Sequence, residues 1–363
     1  QIRFSFFYSD ENLNSFDIAN SFYSIFNWFP FFLIFIYFQT YLKNKEQRYT
    51  FSKIIISGTI PIIISCGMQY WFNIYGPWET LGGLIIWFNK PIINIGDPIT
   101  GLFSNANYTG FWLSATFPLL IALFYSLKKF DIQKLFLSLI IILTIYFIFL
   151  TGSRNALLNL FTSCVLLLNI KFNLVLFLFI LMIIGLVIPN LISFSVKEIF
   201  NEFNLKANLL NINNNFENLL NFPRINIWFN SLKLIFQKPF FGYGAGTFSI
   251  YYTLDKFKIQ HAHNLPMQIA YDYGLIISIL LTLFPLIIIY AIYKVTYKGN
   301  NKIDFFNKCW LISLIVIMVH QTTDITYFDG KISIFIWLVL TGAKCILDEK
   351  TKSQENINIL NYK

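Results

Sequence analysis

The sequence predicts an all-α fold, a polytopic bundle of membrane helices with a long extracytoplasmic loop that carries short helices. Three observations predict it. The 363 residues are 56% hydrophobic and 12% charged, with a mean hydropathy of +0.59, which is too apolar for a soluble domain of this size. Several apolar runs reach the ~18–20 residues that cross a hydrocarbon core as a helix. These runs lack the period-two alternation of outer-membrane barrel strands.

The apolar runs predict about nine spans, and the prediction leaves room for further helices upstream of Gln1, because the opening segment is polar and lacks the apolar core of a signal peptide. Three units follow, namely N-terminal membrane helices (1–194), a large periplasmic loop (195–263), and C-terminal membrane helices with a cytoplasmic tail (264–363). The predicted spans are about 24–42, 54–74, 107–127, 134–150, 155–170, 172–194, 264–293, 309–328 and 332–347.

The cysteines and the net charge exclude some partners. Cys66, Cys164, Cys309 and Cys345 all lie in apolar runs without CxxC spacing, so neither a disulfide framework nor a zinc site is indicated. The net charge of +9 could suggest nucleic acid, but lysines between membrane spans usually report orientation. We therefore expect membrane lipids as partners and no nucleic acid.

Lysine-rich connections alternate with lysine-poor ones. The positive-inside rule places the lysine-rich connections and the tail after Lys344 in the cytoplasm. The opposite face then receives 75–106, the turn at 151–154, the long segment 195–263 and the turn near 329–331. All three histidines fall at or near this outer face.

Arginine is rare in this chain. Only four of the 27 basic residues are arginine, and Arg154 and Arg224 are on the outer side with the histidines. Arginine offers a planar fork that binds phosphate or carboxylate in a bidentate way. A lysine-biased genome explains the same count about equally well.

Two arginine segments could hold an anion. Arg154 follows the Thr-Gly-Ser turn and begins the next apolar run, where free helix N–H groups favour an anion; an ordinary interfacial arginine is the alternative. Arg224 follows Pro223 in the first turn of an amphipathic pattern that predicts a helix lying on the membrane or on the bundle, ending at Lys238-Pro239. Beyond it, Gly242 and Gly244 give a backbone able to approach a ligand closely, although an isolated GxGxG run is weak support.

Polar residues border the other outer ends. Asn105 and Asn107 precede a span, and helix capping explains at least one of them. His320 and Asp324 are four residues apart, on one face of a predicted helix, and a structural ion pair is as plausible there as a functional one.

The motif His-Ala-His-Asn contains the remaining two histidines. A metal bound by His261 and His263 would require further ligands, and no recognisable zinc signature is nearby. Duty as a general base or hydrogen-bonding group fits one of these histidines better, since imidazole titrates near neutral pH.

Taken in order, these segments resemble the O-antigen ligase and O-antigen polymerase superfamily of bacterial membrane glycosyltransferases. The ligase pattern His-[Asn/Ser/Gln]-x9-Gly-x-x-[Gly/Thr/Tyr] is met at His263, Asn264 and Gly274, but its last position is Ile277. The other shared features are Asn105-x-Asn107, Arg154 with Leu158, Pro223-Arg224, and Pro239-x-x-Gly-x-Gly-x-Gly-Thr-Phe248.

The resemblance implies transfer of a glycan from undecaprenyl diphosphate to an acceptor hydroxyl, a lipid A core sugar for a ligase, at the periplasmic face of the bacterial inner membrane. It implies no cofactor and no metal. The implied catalytic residues are Arg154 and Arg224, which hold the diphosphate, and His263 as the base. The residues expected to bind substrate are Asn105, Asn107, Gly242, Gly244, His261, Asn264, His320 and Asp324.

Other functions stay open from the sequence. A polymerase, with a lipid-linked glycan as acceptor, and a protein O-oligosaccharyltransferase share the chemistry. A bicarbonate-type transporter would place its polar groups at the membrane midplane, whereas those of this chain collect at one face. A purely structural membrane protein would leave the clustered arginines and histidines unexplained.

Overall fold

The computed structural model describes residues 24–168, 223–297 and 303–361, except positions 81, 83, 84, 88, 90, 95, 104, 255 and 256. Nearly all regular structure in these residues is helical, as predicted. After a 3₁₀ turn at Ser24–Asn27, the helices are α1 Phe29–Tyr37, α2 Gln39–Leu42, α3 Lys45–Phe72, α4 Ala106–Ser126, α5 Ile132–Leu150, α6 Arg154–Leu167, α7 Pro223–Gln237, α8 Phe248–Tyr251, α9 Leu265–Tyr273, α10 Leu275–Tyr297, α11 Phe305–Gln321 and α12 Gly330–Asn361.

Two small hairpins were not predicted. Strand β1 (Trp78–Thr80) pairs antiparallel with β2 (Ile85–Trp87), and β3 (Thr253–Leu254) with β4 (Phe257–Lys258). Strands of two or three residues are too short to show a periodic pattern in sequence.

Five of the described helices are long and apolar enough to cross a membrane. They are α3, α4 and α5, together with Leu275–Val295 of α10 and Gly330–Ser353 of α12. Three apolar stretches are shorter, at Ser24–Tyr37, Arg154–Leu167 and Phe305–Gln321. The sixth predicted span, 172–194, lies outside the described residues, as does 195–222 of the predicted loop.

Helix α3 begins nine residues before the predicted span. The prediction began too late because the first turns of the helix are polar and lie outside the apolar run. Asn44 caps it: the Asn44 side chain accepts from the Gln47 amide at 2.9 Å, and the Gln47 side chain accepts from the Asn44 amide at 3.3 Å. This reciprocal capping box satisfies two N–H groups that a helix start otherwise leaves unpaired.

The predicted span 264–293 is broken at Gly274, which separates α9 from α10. Gly274 has φ +92°, and a Cβ there would lie 2.1 Å from the Phe240 carbonyl oxygen, so only glycine fits. The predicted span 309–328 also ends early, at Gln321, where α11 gives way to a loop. Both interruptions create the connections that carry the candidate site.

Helix α4 lies at the centre of the bundle and packs against α3, α5, α6 and α11. A second, smaller hydrophobic cluster joins α7 to α9 through Ile227, Ile235, Phe248 and Tyr271. The predicted amphipathic helix after Pro223 is thus present, and one of its faces packs on the protein.

Candidate functional site

Four helix starts and one helix end meet at the same end of the bundle. Asn107 lies in the first turn of α4, Arg154 begins α6, Arg224 lies in the first turn of α7, and His263 closely precedes α9. The loop that follows α11 contacts three of these segments through Asp324. Helix N-termini carry partial positive charge and unpaired N–H groups, so this end of the bundle is suited to an anion.

The Asp324 carboxylate is the centre of the cluster. His263 Nδ1 donates to Asp324 Oδ1 at 2.8 Å, and Asn107 Nδ2 donates to Asp324 Oδ2 at 2.7 Å. The Ile325 amide also donates to Oδ1, at 2.9 Å. Arg224 Nη2 lies 3.7 Å from Oδ2, within ion-pair distance. One carboxylate therefore ties together segments that are up to 217 residues apart in sequence.

The environment keeps Asp324 ionised. Burial opposes ionisation, but the hydrogen bond from His263, the charges of His263 and Arg224, and the Ile325 amide outweigh it and lower the pKa of the Asp324 carboxyl to about 2. An ionised carboxylate can only accept hydrogen bonds, so it fixes the proton of its histidine partner on Nδ1.

His263 has an unusual backbone conformation, with φ 51°, in the left-handed region that non-glycine residues rarely occupy. Asn264 holds this turn from both sides. Its side-chain oxygen accepts from the Met267 amide at 3.0 Å, which caps α9, and its Nδ2 donates to the Thr322 carbonyl at 2.8 Å. With Nδ1–H donated to Asp324, the other ring nitrogen, Nε2, is the acceptor of the neutral tautomer.

The other histidine of the pair, His261, packs its ring edge-to-face on that of His263, with centroids 4.3 Å apart. Burial, assisted by the neighbouring His263, lowers the pKa of His261 to about 4, against an opposing effect of Asp324. His261 is therefore neutral at physiological pH. Within the described residues, no group of three or more His, Cys, Asp or Glu side chains is arranged to hold a metal ion.

The Arg224 guanidinium is only partly engaged by protein groups. Nη1 donates to the Thr323 carbonyl at 3.0 Å, and the longer ion pair to Asp324 fixes the other end of the fork. The side chain is 44% exposed, whereas that of Asp324 is 5% exposed. An open guanidinium edge next to a buried carboxylate can bind an incoming anion without losing its own anchor.

Arg154 and Asn105 lie where α4 meets α6. Gly110 allows this contact, because a Cβ there would be 2.7 Å from the Ala156 Cβ. Ser153 caps α6 through the Ala156 amide, and Asn105 caps α4 through the Asn107 amide. Arg154 is exposed at the start of α6. It thus lies at the same end of the bundle.

The i,i+4 pairing of His320 with Asp324 on a helix was wrong. Helix α11 ends at Gln321, so the side chain of Asp324 turns to His263, and that of His320 stays in the bundle. His320 is fully buried, with Nδ1 2.9 Å from Asn159 Nδ2 and its ring against Phe111. The two side chains therefore belong to different networks.

The glycine run packs against protein backbone. Gly242 has φ +65°, and a Cβ there would lie 2.3 Å from the Tyr271 carbonyl oxygen. The Tyr243 amide donates to the Tyr271 carbonyl at 2.7 Å, and the Gly244 amide to the Asp272 carbonyl at 3.0 Å. The end of α9 accounts for these close approaches, and contact of Gly242 and Gly244 with substrate stays a prediction.

Sequence patterns missed two features of the site. The carbonyls of Thr322 and Thr323 orient Asn264 and Arg224, and backbone acceptors leave no signal in side-chain identity. The second feature is an apolar pocket between α9 and α10 on one side and α11 and α12 on the other. Its lining runs from Leu265 and Thr322, next to the His263 cluster, to Phe284 and Leu340 deeper in the bundle.

A comparison with known proteins finds a match in the central part of the chain. The family model described as O-antigen ligase matches residues 139–282, a segment that contains Arg154, Arg224 and His263. The resemblance to the O-antigen ligase and O-antigen polymerase superfamily is thereby confirmed. A search of curated proteins found no match.

Proposed function

We propose, from the match to the O-antigen ligase family, that this chain is a glycosyltransferase that moves a glycan from undecaprenyl diphosphate to an acceptor hydroxyl. The observation that carries the proposal is the contact of His263 with Asp324, 2.8 Å between Nδ1 and Oδ1, beside the half-exposed Arg224. A base and an anion-binding cation next to each other are what a displacement at a sugar diphosphate requires.

The proton transfer follows from the tautomer of His263. Because Asp324 accepts the Nδ1 proton, Nε2 can take the proton of the acceptor hydroxyl as its oxygen attacks the anomeric carbon. The bond from that carbon to the phosphate oxygen breaks, and the diphosphate leaves with the bonding electrons. The product has the inverted configuration, and no covalent enzyme intermediate is needed.

The arginines stabilise the leaving group. Arg224 has an exposed guanidinium edge and is anchored by Thr323 and Asp324, so it is in position before substrate binds. Arg154 adds a second cation at the start of α6. Preorganised charge of this kind is often the largest single contribution to catalysis. Asn107 positions the Asp324 carboxylate by donating a hydrogen bond to it, and Asn264 positions His263 by holding the turn in which it lies.

The apolar pocket supports a lipid-linked donor. It begins at Leu265 and Thr322, next to His263-Asn264, and is lined almost entirely by apolar side chains such as Ile269, Phe284 and Trp337. A polyprenyl chain placed there leaves its diphosphate at the level of Arg224. The proposed location is the bacterial inner membrane, with this end of the bundle facing the periplasm.

The proposed acceptor is a sugar of the lipid A core, as in a ligase. An O-antigen polymerase would use a second lipid-linked glycan, and a protein O-oligosaccharyltransferase would use a serine or threonine. These alternatives share the base and the arginines and differ only in the group that delivers the hydroxyl.

The test is reconstitution of the full chain with undecaprenyl-diphosphate glycan and each of the three acceptors in turn. We expect transfer with the lipid A core acceptor, and a loss of about 10²-fold or more in His263→Ala, because the base is removed. Arg154→Ala and Arg224→Ala should lose transfer as well. Lys233→Ala, which removes an exposed cation from the same helix as Arg224, serves as the matched control.

Two results would contradict the proposal. Transfer by His263→Ala at the unmodified rate across the pH range would show that His263 is not the base. Normal turnover of both arginine variants would show that these arginines do not bind the diphosphate. Transfer only to a second lipid-linked glycan would keep the chemistry and change the assignment to a polymerase.

A further inference from the structure

Helix α7 presents an apolar stripe that no described part of the protein covers. Ile225, Leu232 and Phe236 lie along it, with exposed fractions of 37%, 38% and 69%. At about 100° per residue these three positions fall within roughly 40° of one another around the helix. The stripe is therefore a continuous surface, and its exposure is greatest at the C-terminal end.

This stripe is distinct from the face with which α7 packs on the protein. Ile227, Ser231 and Ile235 are all buried, and the two isoleucines belong to the cluster around Tyr271. Arg224 contacts Thr323 and Asp324 and so lies toward the protein as well. Packing accounts for the inner face only, and the outer apolar stripe requires another explanation.

The exposed surface continues into the turn after the helix. Phe240 and Phe241 are 67% and 82% exposed, and Phe241 is the most exposed large hydrophobic residue in the described part of the chain. The turn is held rigidly, since the Leu275 amide donates to the Pro239 carbonyl at 2.7 Å and Gly274 packs against the backbone of Phe240. Two adjacent phenylalanines are thus fixed outward by a well-packed backbone.

The hydrogen bond between Pro239 and Leu275 shows where the rings of Phe240 and Phe241 lie along helix α10. Leu275 is the first residue of α10, whose segment Leu275–Val295 is long and apolar enough to cross a membrane. The first turns of α10 expose Ile276, Ile279 and Leu280. The Pro239 carbonyl accepts a hydrogen bond from the first residue of this helix. Phe240 and Phe241 therefore lie next to the start of the exposed apolar surface of α10.

Lysines accompany the exposed rings. Lys233 Nζ lies 4.4 Å from the ring centroid of Phe229, and Lys238 Nζ lies 4.4 Å from that of Tyr243. Both ammonium groups are held on aromatic faces within one or two turns of Phe236. Apolar rings flanked by lysine are the composition of helices that lie in the boundary between lipid headgroups and acyl chains.

We propose that the outer stripe of α7 and the Phe240-Phe241 turn form a membrane anchor that inserts into the headgroup boundary of the bilayer, with a lipid surface as its partner. The occupant is a lipid surface because the turn is continuous with the outward apolar face of α10. The anchor fixes the depth of Arg224, at the other end of the same helix, relative to the lipid phosphates. This inference does not depend on the reaction proposed above.

The test is photo-crosslinking of the full chain in vesicles of phosphatidylethanolamine and phosphatidylglycerol. A benzophenone amino acid replaces Phe241 or Phe236 in separate samples, and Gln237 in a matched control, since Gln237 is exposed and lies about 120° around the helix from Ile225. Mass spectrometry of the illuminated protein then counts lipid adducts. We expect about fivefold more adducts at the phenylalanine positions than at Gln237, because only they face the acyl boundary.

Equal lipid adducts at the three positions, or protein-to-protein adducts in place of lipid, would overturn the anchor. Neither measurement requires donor or acceptor, so a failure of the reaction proposed above leaves this result unaffected. A second variant, F240S/F241S, tests the effect on depth. With benzophenone at Phe236, lipid adducts should fall severalfold in that variant, whereas a turn that does not touch lipid would leave them unchanged.

Discussion

Arg48 and Arg224 contact opposite ends of helix α11, and their guanidinium groups are bound by the protein to different extents. Arg48, in α3, is fully buried, and its guanidinium donates to Asn307, to the carbonyls of Leu42 and Lys43, and to Glu349 at 2.5 Å. Arg224 donates to one carbonyl, lies 3.7 Å from Asp324, and is 44% exposed. Asn307 and His320 mark the two ends of α11, about 20 Å apart at 1.5 Å per residue.

The difference lies in how far each guanidinium is saturated. All three nitrogens of Arg48 have protein partners, so this residue joins α3 to the end of α2, to α11 and to α12. Its complete burial leaves a ligand no access. Arg224 is held just enough to be oriented. The number of donors left open therefore distinguishes Arg48, a structural residue, from Arg224, the proposed binding residue, although both contact a carboxylate.

The largest expected effect on stability is that of Arg48→Leu. Removal of the guanidinium leaves Asn307, Glu349 and two carbonyls without their donor, which should cost about 3 kcal/mol of unfolding free energy. Thermal unfolding in detergent measures it. Lys45→Ala is the control at the same end, since it breaks an exposed ion pair to Asp304 and should cost less than about 1 kcal/mol. Unfolding of Arg48→Leu at the unmodified temperature would contradict the structural role.

Arg224→Ala should have the opposite effect, a large loss of transfer with little loss of stability. Transfer should fall about 10²–10³-fold, because charge on the leaving diphosphate is no longer stabilised. Unfolding free energy should change by less than about 1 kcal/mol, because the side chain is half exposed. Arg224→Lys should recover little, since an ammonium cannot reproduce the bidentate fork. A loss of stability as large as that of Arg48→Leu would make Arg224 a structural residue too.

The smallest effect concerns pH and Asp324. The pKa of this carboxyl is about 2 in the folded chain, below its ordinary 3.8, so ionisation stabilises the fold above about pH 4 and the contribution is lost as the pH falls toward 2. The difference corresponds to about 2 kcal/mol. The stability advantage of the unmodified chain over Asp324→Asn should therefore shrink by about that amount between about pH 6 and about pH 2. A constant difference would show that the carboxylate is not held by its partners.

The helices could be predicted from the sequence because a membrane span is a local, long apolar run. Their ends could not, since they depend on single residues such as Asn44, whose cap lies outside the apolar run, and Gly274, whose φ is set by contact with a distant turn. Residue types also indicated Arg224 and His263 as candidates. The carboxylate that joins them was assigned to the wrong partner, because the i,i+4 rule applies only while the helix continues.

The convergence at Asp324 lies beyond any local pattern. Asn107 and His263 reach it from positions 217 and 61 residues away, and nothing in their neighbouring residues encodes that contact. The same holds for His320, whose partner Asn159 is 161 residues distant. Such contacts follow from how α4, α6 and α11 pack. That packing depends on side-chain size, as at Gly110, where a Cβ would lie 2.7 Å from the Ala156 Cβ.

The left-handed backbone of His263 has a consequence for how this chain can vary. Backbone in this region costs a non-glycine residue about 1 kcal/mol or somewhat more. A glycine at position 263 would avoid this cost but would lose the ring that contacts Asp324. The two Asn264 hydrogen bonds hold the turn in this conformation and so offset part of the cost for histidine.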